Sequence, residues 1–248
     1  MPARTRTGKN QVTLARALSK LGIASRKKAE GMIRDGKIGV NSAVVRLPDV
    51  WVDLKKDKLS LEGRPLRREK PVYLVMNKPA GVVTTRSDER GRKTVYDVLP
   101  PDSRWLFPVG RLDKDTSGLL LFTNDTRFGD RVANPLTKVL KTYHVEVDRP
   151  LKEEDRRKME MQIVLGDGTI LRPARISGIE NNRRTFSMTI VEGKNRQVRR
   201  VCEVLGYAVL QLRRTAIGPI HLGRLREGAV RPLTETERSS IMGSCVGA

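Results

Sequence analysis

Cysteine and histidine are scarce in this sequence, with two residues of each type in 248. Cys202 and Cys245 lie far apart and belong to no CxxC pair, which argues against a disulfide framework and a cysteine-ligated zinc site. His144 and His221 stand alone in their segments, without the spacing of metal ligands. We therefore expect no metal site and a protein of a reducing compartment, the cytoplasm.

Aromatic residues make up 4% of the chain, and no apolar run approaches the ~20 residues that span a bilayer. Hydrophobic residues nevertheless amount to 38%, well above the content of a disordered polycation. The composition predicts a folded protein with an aliphatic core and without a transmembrane segment.

Acidic residues are absent from the first 29 positions, and over the whole chain 28 acids face 49 Lys and Arg, a net charge of +21. Each Lys or Arg placed against a phosphate releases condensed counterions, so this excess favours nucleic acid as the partner over a membrane surface. An acid-free start rich in Arg, Ser and Thr is also typical of an organelle transit peptide. A helical pattern from residue 12 onwards limits that alternative to a short tail.

Two short helices are predicted near the start of the chain. Leu14, Leu18 and Leu21 share a helical face and Gly22 follows as a C-terminal cap, while Ser25 has the position of an N-cap for the second helix. Strands are then predicted over 37–41 and 44–47, with more strand-like sequence over 50–61.

The charge distribution and one polar run suggest a domain boundary. Residues 1–70 hold 18 basic and 7 acidic side chains, and the proline-bounded run 63–71 is typical of a linker. We predict five parts: a basic tail over 1–11, a small domain over 12–62, a linker over 63–70, a large domain over 71–240 and a C-terminal tail over 241–248.

The large domain mixes strands and helices without a regular strand–helix repeat. This favours an α+β fold built on a mainly antiparallel sheet with flanking helices. The predicted strands are 72–76, 82–85, 118–123, 142–147, 163–165, 175–179 and 186–191, and the predicted helices are 155–161 and 196–205.

A polar loop with two carboxylates, Asp113 and Asp115, directly precedes an apolar strand. Three interpretations stay open from the residues alone. The first half of a calcium loop fits, but Asn124 stands where a bidentate Glu is needed. The two carboxylates could also form an acid/base pair across a glycosidic bond, or they could cap backbone N–H groups in an ordinary turn.

Basic and aromatic side chains supply two further candidates. Arg196, Arg199 and Arg200 open a predicted helix and point away from its apolar face, as a solvated surface or as groups that bind phosphate or a carboxylate. Tyr143 lies on the apolar face of a strand, where it is either a core residue or a stacking platform for an extruded base.

Several motifs in a fixed order cover nearly the whole chain. They are NKPAG at 77–81, GRLD at 110–113, TSGLLL at 116–121, TND at 123–125, KTY at 141–143, EGKNRQVRR at 192–200, LRR at 212–214 and RPL at 231–233. Together they resemble the pseudouridine synthases that modify ribosomal RNA, in the branch of small-subunit synthase A and large-subunit synthases B, E and F. Residues 12–60 are similar to the S4 RNA-binding domain that precedes the catalytic domain in that branch.

The resemblance implies an isomerase that needs no cofactor and no metal. It implies that Asp113 is the catalytic carboxylate, that Tyr143 packs against the target uracil, that Arg199 pairs with the aspartate, and that Arg111 lies in the motif beside it. The carboxylate could attack C1′, add to C6, or take a sugar proton, and the sequence does not choose among these routes.

The resemblance also implies the partner. We expect a monomer that acts on ribosomal RNA or a ribosome assembly intermediate and binds no membrane. The motifs favour 23S RNA and the B-type synthases of the large ribosomal subunit, with 16S RNA or a non-catalytic assembly factor as alternatives. The residues expected to bind the RNA backbone in the S4-like domain are Arg26, Lys27, Lys28, Arg34 and Lys37.

Overall fold

A computed structural model describes residues 11–101 and 105–243. The chain forms two compact units, one made mainly of residues up to Val72 and one that contains most of the chain from Tyr73 onwards. Two short segments, 105–107 and 123–127, group with the first unit. Among the described residues, no helix is long and apolar enough to cross a membrane.

The first unit packs two short helices against small antiparallel sheets. Its core contains Leu14, Leu18, Ile33 and Val52, all fully buried. The predicted N-cap is confirmed, because Ser25 Oγ accepts a hydrogen bond from Lys28 N at 3.2 Å. The elements are β1 Gln11–Thr13, α1 Leu14–Lys20, α2 Arg26–Arg34, β2 Ile38–Val40, β3 Ala43–Val44, β4 Trp51–Asp53, β5 Leu59–Leu61 and β6 Arg64–Pro65.

The predicted linker over 63–70 differs from what the structure shows. Strand β6 pairs with β5, Leu66 N donates to Leu59 O at 2.8 Å, and Glu69 N donates to Leu21 O at 3.0 Å. These backbone hydrogen bonds tie most of the segment to the first unit, because its amides find partners there that a free linker would lack.

The second unit is built on a nine-stranded sheet flanked by helices. The strand order is β13-β14-β10-β15-β9-β7-β17, with β16 beside β15 and β8 beside β9. The elements are β7 Tyr73–Lys78, β8 Phe107–Val109, β9 Ser117–Thr123, α3 Thr126–Ala133, β10 Lys141–Val147, α4 Glu153–Met159, β11 Ile163–Val164, β12 Ile170–Leu171, β13 Arg175–Glu180, β14 Thr185–Ile190, α5 Gln197–Val204, β15 Val209–Ile217, β16 Ile220–His221, β17 Val230–Pro232 and α6 Glu235–Gly243.

The pairing in this sheet is mainly antiparallel, which confirms the predicted α+β class. Strands β9 and β15 pair in parallel, and their register aligns Gly118 with Arg214. A Cβ at Gly118 would lie 2.3 Å from Arg214 O, and its φ is +102°. Glycine is therefore required here for the two strands to approach.

Two expectations for the large domain are wrong. Residues 82–85 form no strand but a single bridge between Val83 and Thr94, because the chain turns at Gly81, whose φ is +83°. The C-terminal tail expected from residue 241 begins inside α6, where Ile241 is 1% exposed. Burial of that side chain extends the helix to Gly243.

Candidate active site

The loop that follows β8 carries Asp113, whose side chain is 37% exposed. Thr116 N donates to Asp113 O at 3.1 Å and closes a turn around the aspartate. Arg196 Nη1 lies 3.6 Å from Asp113 Oδ2. The loop thus presents an accessible carboxylate with a guanidinium beside it.

Lys78 anchors the same loop from the end of β7. Its side chain is fully buried, and Nζ donates to Pro79 O and Thr116 O at 2.8 Å and to Lys114 O at 3.3 Å. Burial lowers the pKa of Lys78 to about 8, although the carboxylates of Asp115 and Asp113 oppose the shift. Three backbone carbonyls satisfy the ammonium group, so the lysine fixes the loop on both sides of Asp115.

Thr84 holds the residue that precedes the aspartate. Its Oγ1 donates to Leu112 O at 2.8 Å, and Leu112 N lies 3.3 Å from the same oxygen. The segment 82–85, although not a strand, therefore positions the backbone next to Asp113.

The start of α5 supplies the arginine that pairs with Asp113. Arg196 precedes the helix with a left-handed backbone, at φ +49°. The turn before it is fixed by buried Glu192, whose Oε1 accepts from Gln197 Nε2 and from Arg172 N, both at 2.9 Å. Lys194 N donates to Gln197 Oε1 at 3.1 Å. These hydrogen bonds hold the turn that carries Arg196.

Tyr143 stands on the central strand β10 and is 8% exposed. It is aligned with Arg214 on β15 and with Met188 on β14. Lys141 lies two residues before it on the same face of the strand, since side chains alternate between faces. This face of the sheet thus places two basic side chains next to a tyrosine.

A cavity of about 460 Å³ brings these groups together. Of the sequence-predicted site residues, it is lined by Asp113, Arg111 and Tyr143. It is also lined by Arg196, one of the three arginines at the predicted start of the helix, and by polar residues for which the sequence suggested no role: Thr116, Lys141, Glu192, Gln197 and Arg214. A volume of this size suits a small, largely enclosed ligand.

Arg199 does not pair with Asp113, contrary to expectation. Its Nη1 donates to Val209 O and its Nη2 to Asp115 O, both at 3.1 Å. The arginine that reaches Asp113 is Arg196, which lies one turn earlier. The reason is geometric, because the left-handed backbone at Arg196 directs that side chain away from the helix, whereas Arg199 starts from within α5 and bridges the loop and β15.

Comparison with known proteins decides the family. Residues 72–204 match the model of the RNA pseudouridylate synthase family. Large-subunit pseudouridine synthase B of Bacillus subtilis is 38% identical over 227 residues, which is 90% of this chain and 93% of that protein. The chain belongs to the RNA pseudouridylate synthase family.

Two further similarities extend over nearly the full length of this pseudouridine synthase. An RNA pseudouridine synthase of Aquifex aeolicus is 35% identical and covers 93% of the chain and 94% of its own length. A crystal structure of a pseudouridylate synthase superposes with a TM-score of 0.68 at 30% identity and covers 93% of this chain and 99% of its own. The protein is therefore an isomerase that acts on uridine in RNA.

One alternative interpretation of the Asp113 loop, the calcium site, can be compared with the structure. The calcium interpretation is not supported, because Asn124 Oδ1 accepts from Val72 N at 2.8 Å and Ser117 begins strand β9. In the described residues, no group of three or more His, Cys, Asp or Glu could hold a metal ion. His144 and His221 lie on strands β10 and β16.

The basic residues predicted to bind RNA surround the second helix of the first unit. Arg26, Lys27 and Lys28 form the exposed first turn of α2. At its other end, Arg34 and Lys37 are also exposed, with Glu30 and Asp35 at 3.6 and 3.9 Å. Ala29 and Ile33 are buried on the opposite side, so the helix turns its positive side to solvent.

Proposed function

We propose that this pseudouridine synthase converts a specific uridine of 23S ribosomal RNA to pseudouridine, and that Asp113 is its catalytic carboxylate. The observation that carries the proposal is the position of Asp113 in a cavity, where Arg196 pairs with it and Tyr143 lines the same space. The large-subunit enzyme of Bacillus subtilis, which aligns over most of the chain, supports the choice of RNA.

The reaction needs a group that assists cleavage of the bond between N1 of uracil and C1′ of ribose. An ionised carboxylate can attack C1′, add to C6 of uracil, or take a sugar proton. After the uracil turns, C5 bonds to C1′ and loses its proton, and N1 gains one. In each route Asp113 must approach the nucleotide, and its partial exposure at the cavity permits this.

The target nucleotide has to leave its stack before it can enter the cavity. Extrusion costs a few kcal/mol, and contacts between basic residues and flanking phosphates offset that cost. The exposed basic side of α2 supports the assignment of the first unit as an S4-like domain that binds the RNA backbone through Arg26, Lys27, Lys28, Arg34 and Lys37. Within the cavity, Arg111 contacts the nucleotide, and Arg199 supports the loop through Asp115.

The substrate is ribosomal RNA, free or in an assembly intermediate, and the enzyme acts as a monomer in the cytoplasm. The net charge of +21 supports an RNA partner. An S4-like domain joined to a catalytic domain gives one chain both the affinity for RNA and the chemistry.

The test is conversion of unmodified 23S and 16S transcripts, with pseudouridine mapped by carbodiimide-dependent stops of primer extension. We expect one new stop in 23S RNA with the wild-type protein and none with Asp113→Asn, while RNA affinity stays within about threefold. Asp115→Asn is the matched control, since it removes a carboxylate from the same loop. A stop in 16S RNA alone would overturn the choice of RNA, and conversion by Asp113→Asn would overturn the role of Asp113.

A further inference from the structure

Two buried cations on the wall of the cavity have no carboxylate partner in the described part of the chain. Lys141 and Arg214 are 8% and 5% exposed, and both line the cavity that holds Asp113. None of the ion pairs between described residues involves either side chain. Burial lowers the pKa of Lys141, and the positive charge of Arg214 lowers it further.

The hydrogen bonds of Arg214 leave its outer end free. Nε donates to Leu119 O at 2.8 Å, whereas Nη2 is buried without a hydrogen-bond partner. Thr116 Oγ1, on the same cavity, is also buried and unpartnered. A buried polar group without a hydrogen-bond partner destabilises the fold, and the cost is larger when the group is charged. Such groups in a cavity are candidates for ligand contacts.

The strand pairing places these cations beside the reacting groups. Arg214 is aligned with Gly118, five residues after Asp113, and on its other side with Tyr143. Lys141 lies two residues before Tyr143 on the same face. A uracil that packs against Tyr143 therefore lies next to both cations.

Lys78 shows what a structural buried lysine looks like in this protein. It donates to three carbonyl oxygens, and both Asp113 and Asp115 favour its charged form. Lys141 has neither feature, because no hydrogen bond of its Nζ to a described residue is present and the charge that acts on it is positive. The contrast indicates that Lys141 and the outer end of Arg214 are held for a ligand rather than for the fold.

We propose that Lys141 and Arg214 bind the carbonyl oxygens of the target uracil and stabilise the negative charge that develops on it during isomerisation. The proposal rests on the proposed function and deepens it. When the N1–C1′ bond breaks, its electron pair stays with the uracil and spreads over N1, O2 and O4, while C1′ bonds to the carboxylate or the sugar loses a proton. Addition of the carboxylate to C6 also moves charge onto the carbonyl oxygens. When C5 bonds to C1′, the electron pair of the uracil forms the new bond, and the bond to the carboxylate breaks with its pair returning to Asp113, or Asp113 returns the proton that it took from the sugar. The C5 proton then leaves, the C5–H pair restores the ring, and N1 gains a proton.

Charge stabilisation of this kind acts on the transition state more than on the bound substrate. The neutral uridine interacts weakly with the two cations, and the anionic uracil interacts strongly. Neutralising either residue should therefore lower the rate of conversion and leave RNA affinity nearly unchanged. Neutralising Lys141 should also relieve the cost of an unpaired buried charge, so that variant should not lose stability. Arg214→Met also removes the hydrogen bond from Nε to Leu119 O, so some loss of stability is expected for it.

The experiment compares Lys141→Met and Arg214→Met with Arg213→Met as the matched control, whose side chain lies on the opposite face of β15. Single-turnover rates are measured at saturating enzyme on unmodified 23S transcript, together with RNA affinity and the thermal midpoint. We expect the two variants to be slower by about 10²-fold or more, the loss seen when one oxyanion donor is removed. Affinity should stay within about threefold, and the thermal midpoint of Lys141→Met should be unchanged or higher. Arg213→Met should retain the wild-type rate.

Several outcomes would overturn the proposal. Rates within threefold of wild type would remove both residues from the reaction. A lower thermal midpoint for Lys141→Met would make that lysine structural, and this measurement needs no active substrate. Weaker RNA binding with a normal rate at saturation would indicate that the cations bind a phosphate instead. In that case, a methylphosphonate linkage beside the target uridine would abolish the difference in RNA affinity between variant and wild type. If the wild-type protein converts neither rRNA, the proposed function fails, while the stability comparison still judges the inference.

Discussion

Thr84 and Leu112 share a reciprocal pair of hydrogen bonds: Thr84 Oγ1 donates to Leu112 O at 2.8 Å, and Leu112 N lies 3.3 Å from the same oxygen. One hydroxyl group thus satisfies both backbone groups of the residue before Asp113. The position of the carboxylate depends on a side chain 29 residues earlier in the sequence.

Replacement of this hydroxyl should slow the reaction. Thr84→Val keeps the shape of the side chain and removes both hydrogen bonds, so we expect a loss of about 1–3 kcal/mol in the free energy of unfolding. Because Asp113 then moves relative to the nucleotide, kcat should fall by about 10-fold or more, whereas RNA affinity should not change. Thr85→Val is the control, since Thr85 Oγ1 donates to Ser87 O at 2.8 Å, away from Leu112. Equal rates for the two variants would contradict the prediction.

The pH dependence of stability should report the burial of Lys78. The pKa of Lys78 is lowered from 10.5 to about 8 by burial. Between these values the unfolded chain binds more protons than the folded one, so the contribution of Lys78 to stability rises with pH from about 8 to 10.5. Below pH 8 the charged lysine carries its full desolvation cost in the folded state.

The measurement is denaturant unfolding of the wild type and of Lys78→Met at several pH values. The stability of the wild type relative to the variant should grow as pH rises through this window, because other titrating groups cancel in the comparison. Burial also raises the pKa of Cys202, to about 12, and that contribution is common to both proteins. A difference that is constant from pH 7 to 10.5 would show that Lys78 titrates normally.

The basic side of α2 should determine part of the salt dependence of RNA binding. Replacing Arg26, Lys27 and Lys28 by Gln removes up to three phosphate contacts, each worth about 0.7–0.9 in the slope of log affinity against log salt. The matched control replaces Lys55, Lys56 and Lys58 by Gln, which removes the same charge from exposed positions of the same unit. Equal slopes for both triple variants would show that net charge, and not the α2 surface, governs binding.

Regular patterns in the sequence were sufficient to predict two strands of the central sheet next to the site, β9 and β10. The continuous apolar run of β9 and the alternation of β10 predict both strands to within one residue of their observed bounds. Strand β15, the longest of the described strands, was not predicted, because Arg213 and Arg214 interrupt its apolar pattern. A buried arginine contradicts the usual rule for a core position, and here it marks the cavity.

The motif EGKNRQVRR identified the right segment but not the right arginine. Arg196 and Arg199 lie three residues apart, and spacing alone cannot show which of them reaches Asp113. The left-handed backbone at Arg196 decides the matter, and a positive φ at a non-glycine residue has no clear signal in a single sequence. The orientation of a side chain at a helix start therefore needs the structure.

The pair of Arg196 and Asp113, with 3.6 Å between Nη1 and Oδ2, leads to the last prediction. Arg196→Gln should lower kcat by about 10²-fold, since the guanidinium that orients the carboxylate is lost. Arg200→Gln is the matched control, because Arg200 pairs with Asp167 at 2.6 Å and lies outside the cavity lining. Both side chains of the Arg196 pair are partly exposed, so the variant should change stability little. A single-turnover rate for Arg196→Gln equal to that of Arg200→Gln would return the orienting role to Arg199, which holds the loop through Asp115 O.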